Sequence, residues 1–119
     1  MVLVDTSVWV DHLRTANQAL VRLLEDVEVL THPFVIGELA CGNIGNREEI
    51  LRLLDALPKA TTADDEEVLV LIDGHGLHGK GLGYVDVCLL ASCFLSGTPL
   101  WTQDRRLRNA ARRLGMLHL

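Results

Sequence analysis

Three apolar residues, Val2-Leu3-Val4, run straight into Asp5-Thr6-Ser7. An unbroken apolar run this short predicts a strand buried on both faces, as in a parallel sheet. Ser7 is then placed to cap a helix that begins near Val8 and ends near Leu13. Asp5 is expected at the carboxyl end of a central strand, on the rim where open α/β sheets bind ligands. The plainer reading is that Asp5 ends the strand and helps to cap the helix.

The same patterning continues along the chain. Asn17 suits the cap of a second helix with Leu20, Leu23, Leu24 and Val27 at helical spacing, and residues 27–31 read as a second strand. Pro33 fits a first helical position and Gly42 a stop, which predicts a helix over Phe34–Cys41. Asn46-Arg47-Glu48-Glu49 resembles a capping box, and Ile50, Leu53, Leu54 and Leu57 extend it until Pro58. A short third strand is expected at Lys59–Thr61. Thr62 and the block Asp64-Asp65-Glu66-Glu67 open a helix with Val68, Leu69, Leu71 and Ile72 as its buried stripe and Gly74 as its stop. Residues 74–83 hold five glycines beside His75 and His78. The run follows a helix rather than a strand, so it is no phosphate-binding fingerprint and reads as a flexible connection. Tyr84–Leu95 is a strongly apolar helix closed by Ser96-Gly97, and Thr98–Thr102 a buried strand with its proline near the start. An arginine-rich helix follows Asp104 as far as Leu114, Gly115 turns the chain, and Met116–Leu119 forms a last strand. Strands alternating with helices predict an α/β fold, a parallel sheet with helices on both faces.

Composition adds limits to this picture. A chain of 119 residues is expected to form one domain, residues 1–119, burying roughly 65% of its unfolded surface. Its apolar stretches fall short of a membrane span, and Met1–Val4 meets Asp5 with no leader-like segment, so a cytosolic, non-membrane protein is expected. Cys41, Cys88 and Cys93 are odd in number and lie in apolar helical patterns, which predicts reduced, buried thiols. The net charge of −5 argues against a nucleic-acid partner, but Arg105, Arg106, Arg108, Arg112 and Arg113 concentrate positive charge near the C-terminus.

Four acids stand apart. Asp5 ends a buried strand, Glu38 shares a helical face with Phe34, Val35 and Cys41, Asp86 lies among core-like residues, and Asp104 follows the last buried strand. An uncompensated buried carboxylate costs several kcal/mol or loses its charge. No lysine or arginine lies one helical turn from Glu38 or Asp86. The expected topology gathers all four at one rim, where they repel one another unless divalent cations neutralise them. Oxygen ligands suit Mg²⁺ or Mn²⁺, which activate water and assist in-line phosphoryl displacement.

These residues also carry a resemblance. Val4-Asp5-Thr6-Ser7, Gly37-Glu38-Leu39, Gly83-Tyr84-Val85-Asp86, Leu89-Leu90-Ala91-Ser92 and Trp101-Thr102-Gln103-Asp104-Arg105-Arg106-Leu107 stand in the order and spacing of the PIN-domain ribonucleases. Among those, the chain resembles the VapC-type toxins of prokaryotic toxin–antitoxin pairs. The resemblance implies a three-layer α/β/α sandwich, a homodimer, a cognate antitoxin that inhibits it, and Mg²⁺- or Mn²⁺-dependent endonucleolytic cleavage of RNA. It assigns Asp5, Glu38, Asp86 and Asp104 to an acidic catalytic and metal-binding quartet. Thr6 or Ser7, and Thr102, match hydroxyl positions that support the carboxylates or touch phosphate. Arg105, Arg106 and Arg108 are candidates to contact RNA phosphates, or else a solvated face near a helix terminus.

Two other classes compete. A receiver-type phosphoacceptor domain wants adjacent acids near strand one and a lysine after its last strand, and neither is present. A metal-free, catalytically silent binding module on the same fold keeps no need for four intact acids.

Overall fold

The computed structural model describes residues 1–119. Three strands, β1 (Val2–Val4), β2 (Val29–Leu30) and β3 (Leu100–Trp101), form a parallel sheet in the order β2-β1-β3. Val2 pairs with Val29 and Leu3 with Leu30 on one side, and Leu3 with Leu100 and Val4 with Trp101 on the other. Successive strand residues face opposite ways, and Val2, Leu3 and Val4 are all buried, so helices cover both faces of the central strand. The α/β sandwich read from the sequence is the architecture observed.

Seven helices surround the sheet: α1 (Thr6–Arg14), α2 (Gln18–Glu25), α3 (Pro33–Cys41), α4 (Arg47–Asp55), α5 (Asp65–His75), α6 (Tyr84–Ser96) and α7 (Arg105–Arg113). Helix α6 is buried without a break from Val87 to Cys93 and is the central helix of the core, as its nearly all-apolar sequence requires. Helix α1 packs on α3, α3 on α4, and α5 on α6.

Both outer strands expected from the sequence shrink to single parallel bridges, Thr31 with Lys59 beyond β2 and Leu100 with Leu117 beyond β3. The order across the sheet is therefore 59, β2, β1, β3, 117. The chain builds outward from β1 on one side, then crosses to start again on the other. The seam between β1 and β3 is thus the switch point at which α/β sheets form a crevice.

Several local expectations are corrected. Asp5, not Ser7, caps α1, and its side chain accepts from the Ser7 N–H. Asn46 adopts a left-handed conformation (φ 52°), which carries its side chain away from the first turn, so the capping box at α4 does not form. The capping box occurs at α5 instead, between Asp64 and Glu67. Helix α5 runs through Gly74 to His75 and stops at left-handed Gly76. Leu69 points to solvent rather than into the stripe that Val68 anchors. Val27 lies in the turn after α2 at φ 56° and is exposed, which shortens β2 to two residues. Cys88 and Cys93 are buried thiols as expected, but Cys41, last in α3, is exposed.

Candidate active site

The ends of two short strands, the N-terminal segments of α1, α6 and α7, and the second half of α3 carry the candidate residues at the carboxyl rim of the sheet. The Asp5 N–H still bonds to the Trp101 carbonyl (2.9 Å), so β1 and β3 stay locked for one residue past their regular ends. This fixes the Asp5 side chain at the seam, where it is 6% exposed. Its Oδ2 accepts the Thr102 hydroxyl at 2.7 Å and the Ser7 hydroxyl at 2.7 Å, with the Ser7 N–H more distant at 3.4 Å. The hydroxyl oxygens in turn accept backbone donors: Thr102 Oγ1 from the Asp104 N–H (3.1 Å) and Ser7 Oγ from the Gln103 N–H (2.9 Å). Each hydroxyl oxygen is occupied by an amide, so its own proton is left to point at Asp5. A buried carboxylate is compensated here by neutral donors alone.

Glu38 projects from α3 and is exposed, contrary to the expectation of an apolar surround. Its Oε1 accepts the Thr6 hydroxyl at 2.7 Å, which ties α3 to the first residue of α1. Asp86 is the third residue of α6 and half-buried, and its Oδ2 accepts the Gly83 N–H at 2.9 Å. Glycine has no side chain to return that bond, so this is half of a capping box. Burial pushes the Asp86 carboxyl above the usual carboxylate range; the Gly83 amide pulls the other way, and the fields of Asp104, Asp5 and Glu38 add to the rise. Those fields place the four acids in one electrostatic neighbourhood. Asp104 caps α7, with Oδ1 accepting the Leu107 N–H at 3.0 Å, and is exposed rather than buried.

One arrangement repeats across the four. A protein donor holds one carboxylate oxygen, while Asp5 Oδ1, Glu38 Oε2, Asp86 Oδ1 and Asp104 Oδ2 receive no hydrogen bond. None of the four is in an ion pair. The side chains as they stand form no group of three His, Cys, Asp or Glu residues able to hold a metal ion. The donors themselves, four carboxylates each with a free oxygen and none in an ion pair, fit a hard divalent cation.

The remaining candidates divide. Thr6, Ser7 and Thr102 all donate to acids, so each hydroxyl supports a carboxylate. Arg105 and Arg106 are exposed, whereas Arg108 is half-buried and its Nη1 reaches the Thr102 carbonyl at 3.4 Å. Sequence reasoning missed the Gly83 amide and set capping against metal binding at Asp5 and Asp104, whereas each caps a helix with one oxygen and keeps the other free. A glycine three residues before an acid, and an acid directly before a helix, were the available signals.

Comparison with known proteins identifies the family. Residues 2–113 match the family model described as PIN domain. Ribonuclease VapC32, from each of two Mycobacterium tuberculosis strains, is 48% identical over 117 residues, covering 98% of this chain and 94% of the relative. PAE2754 from Pyrobaculum aerophilum, whose crystal structure is known, shares the fold at a TM-score of 0.60 and 19% identity, over 96% of this chain and 88% of that one. The family match spans nearly every element that builds the rim, and the sequence identity extends almost end to end: the chain belongs to the PIN-domain family.

Proposed function

We propose that this protein is an endoribonuclease toxin that depends on Mg²⁺ or Mn²⁺, cleaves cellular RNA by a metal-activated water, and is neutralised by a cognate antitoxin. One observation carries the reading: four unpaired carboxylates share a rim, each fixed by one oxygen and free at the other. The choice of RNA as substrate is supported by relatives named Ribonuclease VapC32.

Asp5, Asp86 and Asp104 would hold the ion through their free oxygens, with Glu38 as a further ligand or as the base. Bound there, the cation supplies positive charge for an in-line phosphoryl displacement and a water acidic enough to attack. Asp5 is kept rigid by the Ser7 and Thr102 hydroxyls, so its free oxygen stays aimed while the carboxylate is out of water. Thr6 occupies Glu38 Oε1 and leaves Oε2 to orient the attacking water and take its proton. Asp104 presents one oxygen from the cap of α7, the helix whose arginines lie ready for flanking phosphates. No side chain serves as a nucleophile, and the products are a 5′-phosphate and a 3′-hydroxyl.

Protein partners are supported by exposed apolar surface in two places. Leu69, Val70, Phe94 and Leu95 are exposed along α5 and α6, beside a groove of about 510 Å³. A second groove of about 480 Å³, lined by Val10, Leu13, Leu39 and Ile50, reaches Glu38. A homodimer and an antitoxin complex would each cover such surface. A monomer at micromolar concentration in light scattering would count against the dimer. No helix is long and apolar enough to cross a membrane.

The test is direct. Purified, antitoxin-free protein is incubated with total RNA in Mg²⁺, in Mn²⁺ and in EDTA, beside Asp5→Asn. Cleavage that needs the ion and the Asp5 carboxylate is expected. Cleavage in EDTA, or an Asp5→Asn protein as active as the parent, overturns the mechanism; an inactive parent favours the silent binding module.

A further inference from the structure

A second charged cluster, of opposite sign, lies on α7 and the loop ahead of α6. Lys80, Arg106, Asn109 and Arg113 surround a cleft of about 230 Å³ floored by Ala110. None of the three cations is in an ion pair; the pairs in the chain are Met1–Glu28, Arg52–Glu49 and Lys59–Asp55. Like charges brought around one small space repel one another, the more so with no carboxylate among them. All three are exposed, so water screens much of that repulsion, and the three unpaired cations are open to an anion in the cleft.

The cleft is constructed rather than merely charged. Arg113 is held by a bond from Nη2 to the His75 carbonyl at 3.2 Å. Asn109 Oδ1 accepts from Arg112 Nη1 at 3.2 Å, and its amide NH₂ is left free to donate. Arg106 is positioned by what Gly81 lacks. A Cβ added at Gly81 would stand 2.6 Å from Arg106 Nη1 and 2.7 Å from its Cδ, so any other residue here moves the end of the arginine side chain from its present place across the loop. Gly81 also adopts φ 76°, which other residues resist. Lys80 and Gly81 lie just ahead of Gly83 and Asp86, and Arg106 lies two residues after Asp104. The segments that carry two of the rim acids therefore carry two of the cleft cations.

We propose that this cleft holds a backbone phosphate of the RNA strand, next to the one presented to the acids. The inference rests on the ribonuclease reading for its ligand. Guanidinium groups meet phosphate oxygens through paired donors, Lys80 adds a mobile charge, and Asn109 an amide donor. A cleft of this volume accepts a phosphate group together with some of its water.

The experiment measures binding of a labelled single-stranded RNA oligonucleotide in EDTA across a salt series, with cleavage in Mg²⁺ and Mn²⁺ followed separately. Lys80→Gln, Arg106→Gln and Arg113→Gln are each expected to weaken binding and to reduce the slope of log K on log salt by about 0.7, the value for one phosphate contact on a single strand. Arg22→Gln, an exposed cation on α2 that neither lines the cleft nor contacts its residues, is expected to leave the slope in place. Gly81→Ala keeps the net charge yet is expected to weaken binding, because its Cβ displaces Arg106. Equal slope losses in all four charge variants indicate a diffuse field and overturn the cleft. Unchanged slopes in all four, with a parent that cuts RNA, overturn it as well. A parent whose binding follows the cleft variants but which cuts nothing in either metal upholds the cleft and removes the nuclease reading.

Discussion

The Thr102 hydroxyl donates to Asp5 Oδ2 at 2.7 Å across 97 positions of sequence. It joins the carboxyl ends of β1 and β3 at the seam of the sheet, in a place sealed from water on the Thr102 side. Removing it with Thr102→Val leaves a buried carboxylate one donor short and the Asp104 N–H without its acceptor. A loss of about 1–3 kcal/mol is expected in a denaturant titration, together with a fall in RNA cleavage. Thr102→Ser restores both if the hydroxyl is what matters. Full stability in the valine variant would show that Asp5 does not need this donor.

Thr6 and Glu38 form the looser counterpart. Their bond is 2.7 Å long but exposed, so Thr6→Ala is expected to leave the melting temperature nearly unchanged. Glu38 then loses the donor that fixes Oε1. Cleavage should fall about tenfold, the cost of one positioning hydrogen bond of about 1 kcal/mol or a little more. A fall in kcat at constant KM assigns Thr6 to positioning; a rise in KM alone would place it in substrate binding.

Asp86 predicts a conflict between stability and activity. Its carboxyl lies above the usual range because burial and three neighbouring acids disfavour the charge. A folded-state value raised in this way gives stability at low pH that is lost as pH rises through it, so at neutral pH the ionised form is a burden. Asp86→Asn keeps an oxygen for the Gly83 N–H and removes the charge. In EDTA the variant is expected to melt a few degrees above the parent and to cut no RNA. A lower melting temperature would mean that the charge is already compensated. Adding Mg²⁺ should raise the parent's melting temperature and not the variant's, since an ion that binds only the folded form stabilises it.

The parts of this protein that were legible in its sequence are those where one physical demand acts alone. Val2-Leu3-Val4 must be buried on both faces, and Tyr84–Leu95 has almost no polar residue to expose, so the central strand and central helix could be read directly. The outer strands could not. Lys59 and Leu117 each make one bridge, and whether a bridge extends into a ladder depends on neighbours the local sequence does not specify. The rim was less legible than the core. Glu38 looked buried because α3 is apolar nearly all round, yet α3 buries one side through Val35 and Leu39 against α1 and α4, and Phe34 (44% exposed) and Cys41 face solvent. At Asp5, capping and presentation looked like alternatives. The structure divides them between two oxygens, Oδ2 taking the donors and Oδ1 left free, a division no residue pattern encodes.

His32 supplies a pH dependence separate from the acids. It caps α3, the helix that carries Glu38, by accepting the Phe34 N–H at Nδ1 (3.0 Å), and only an unprotonated Nδ1 can accept. Burial holds its imidazole below the ordinary value of 6.5. Between the folded value and 6.5 the unfolded chain binds more protons, so stability rises with pH in that window and declines as pH falls from about 6.5. Burial lowers His118, whose ring lies tilted against Trp101, in the same direction, and the N-terminal charge adds to it, so the parent's slope has two sources. His32→Asn separates them, because asparagine can still cap the helix but does not titrate. Chemical denaturation from pH 7.5 to pH 5 is expected to show a shallower loss in this variant than in the parent. Identical slopes would place the pH sensitivity elsewhere and leave His32 as a cap alone.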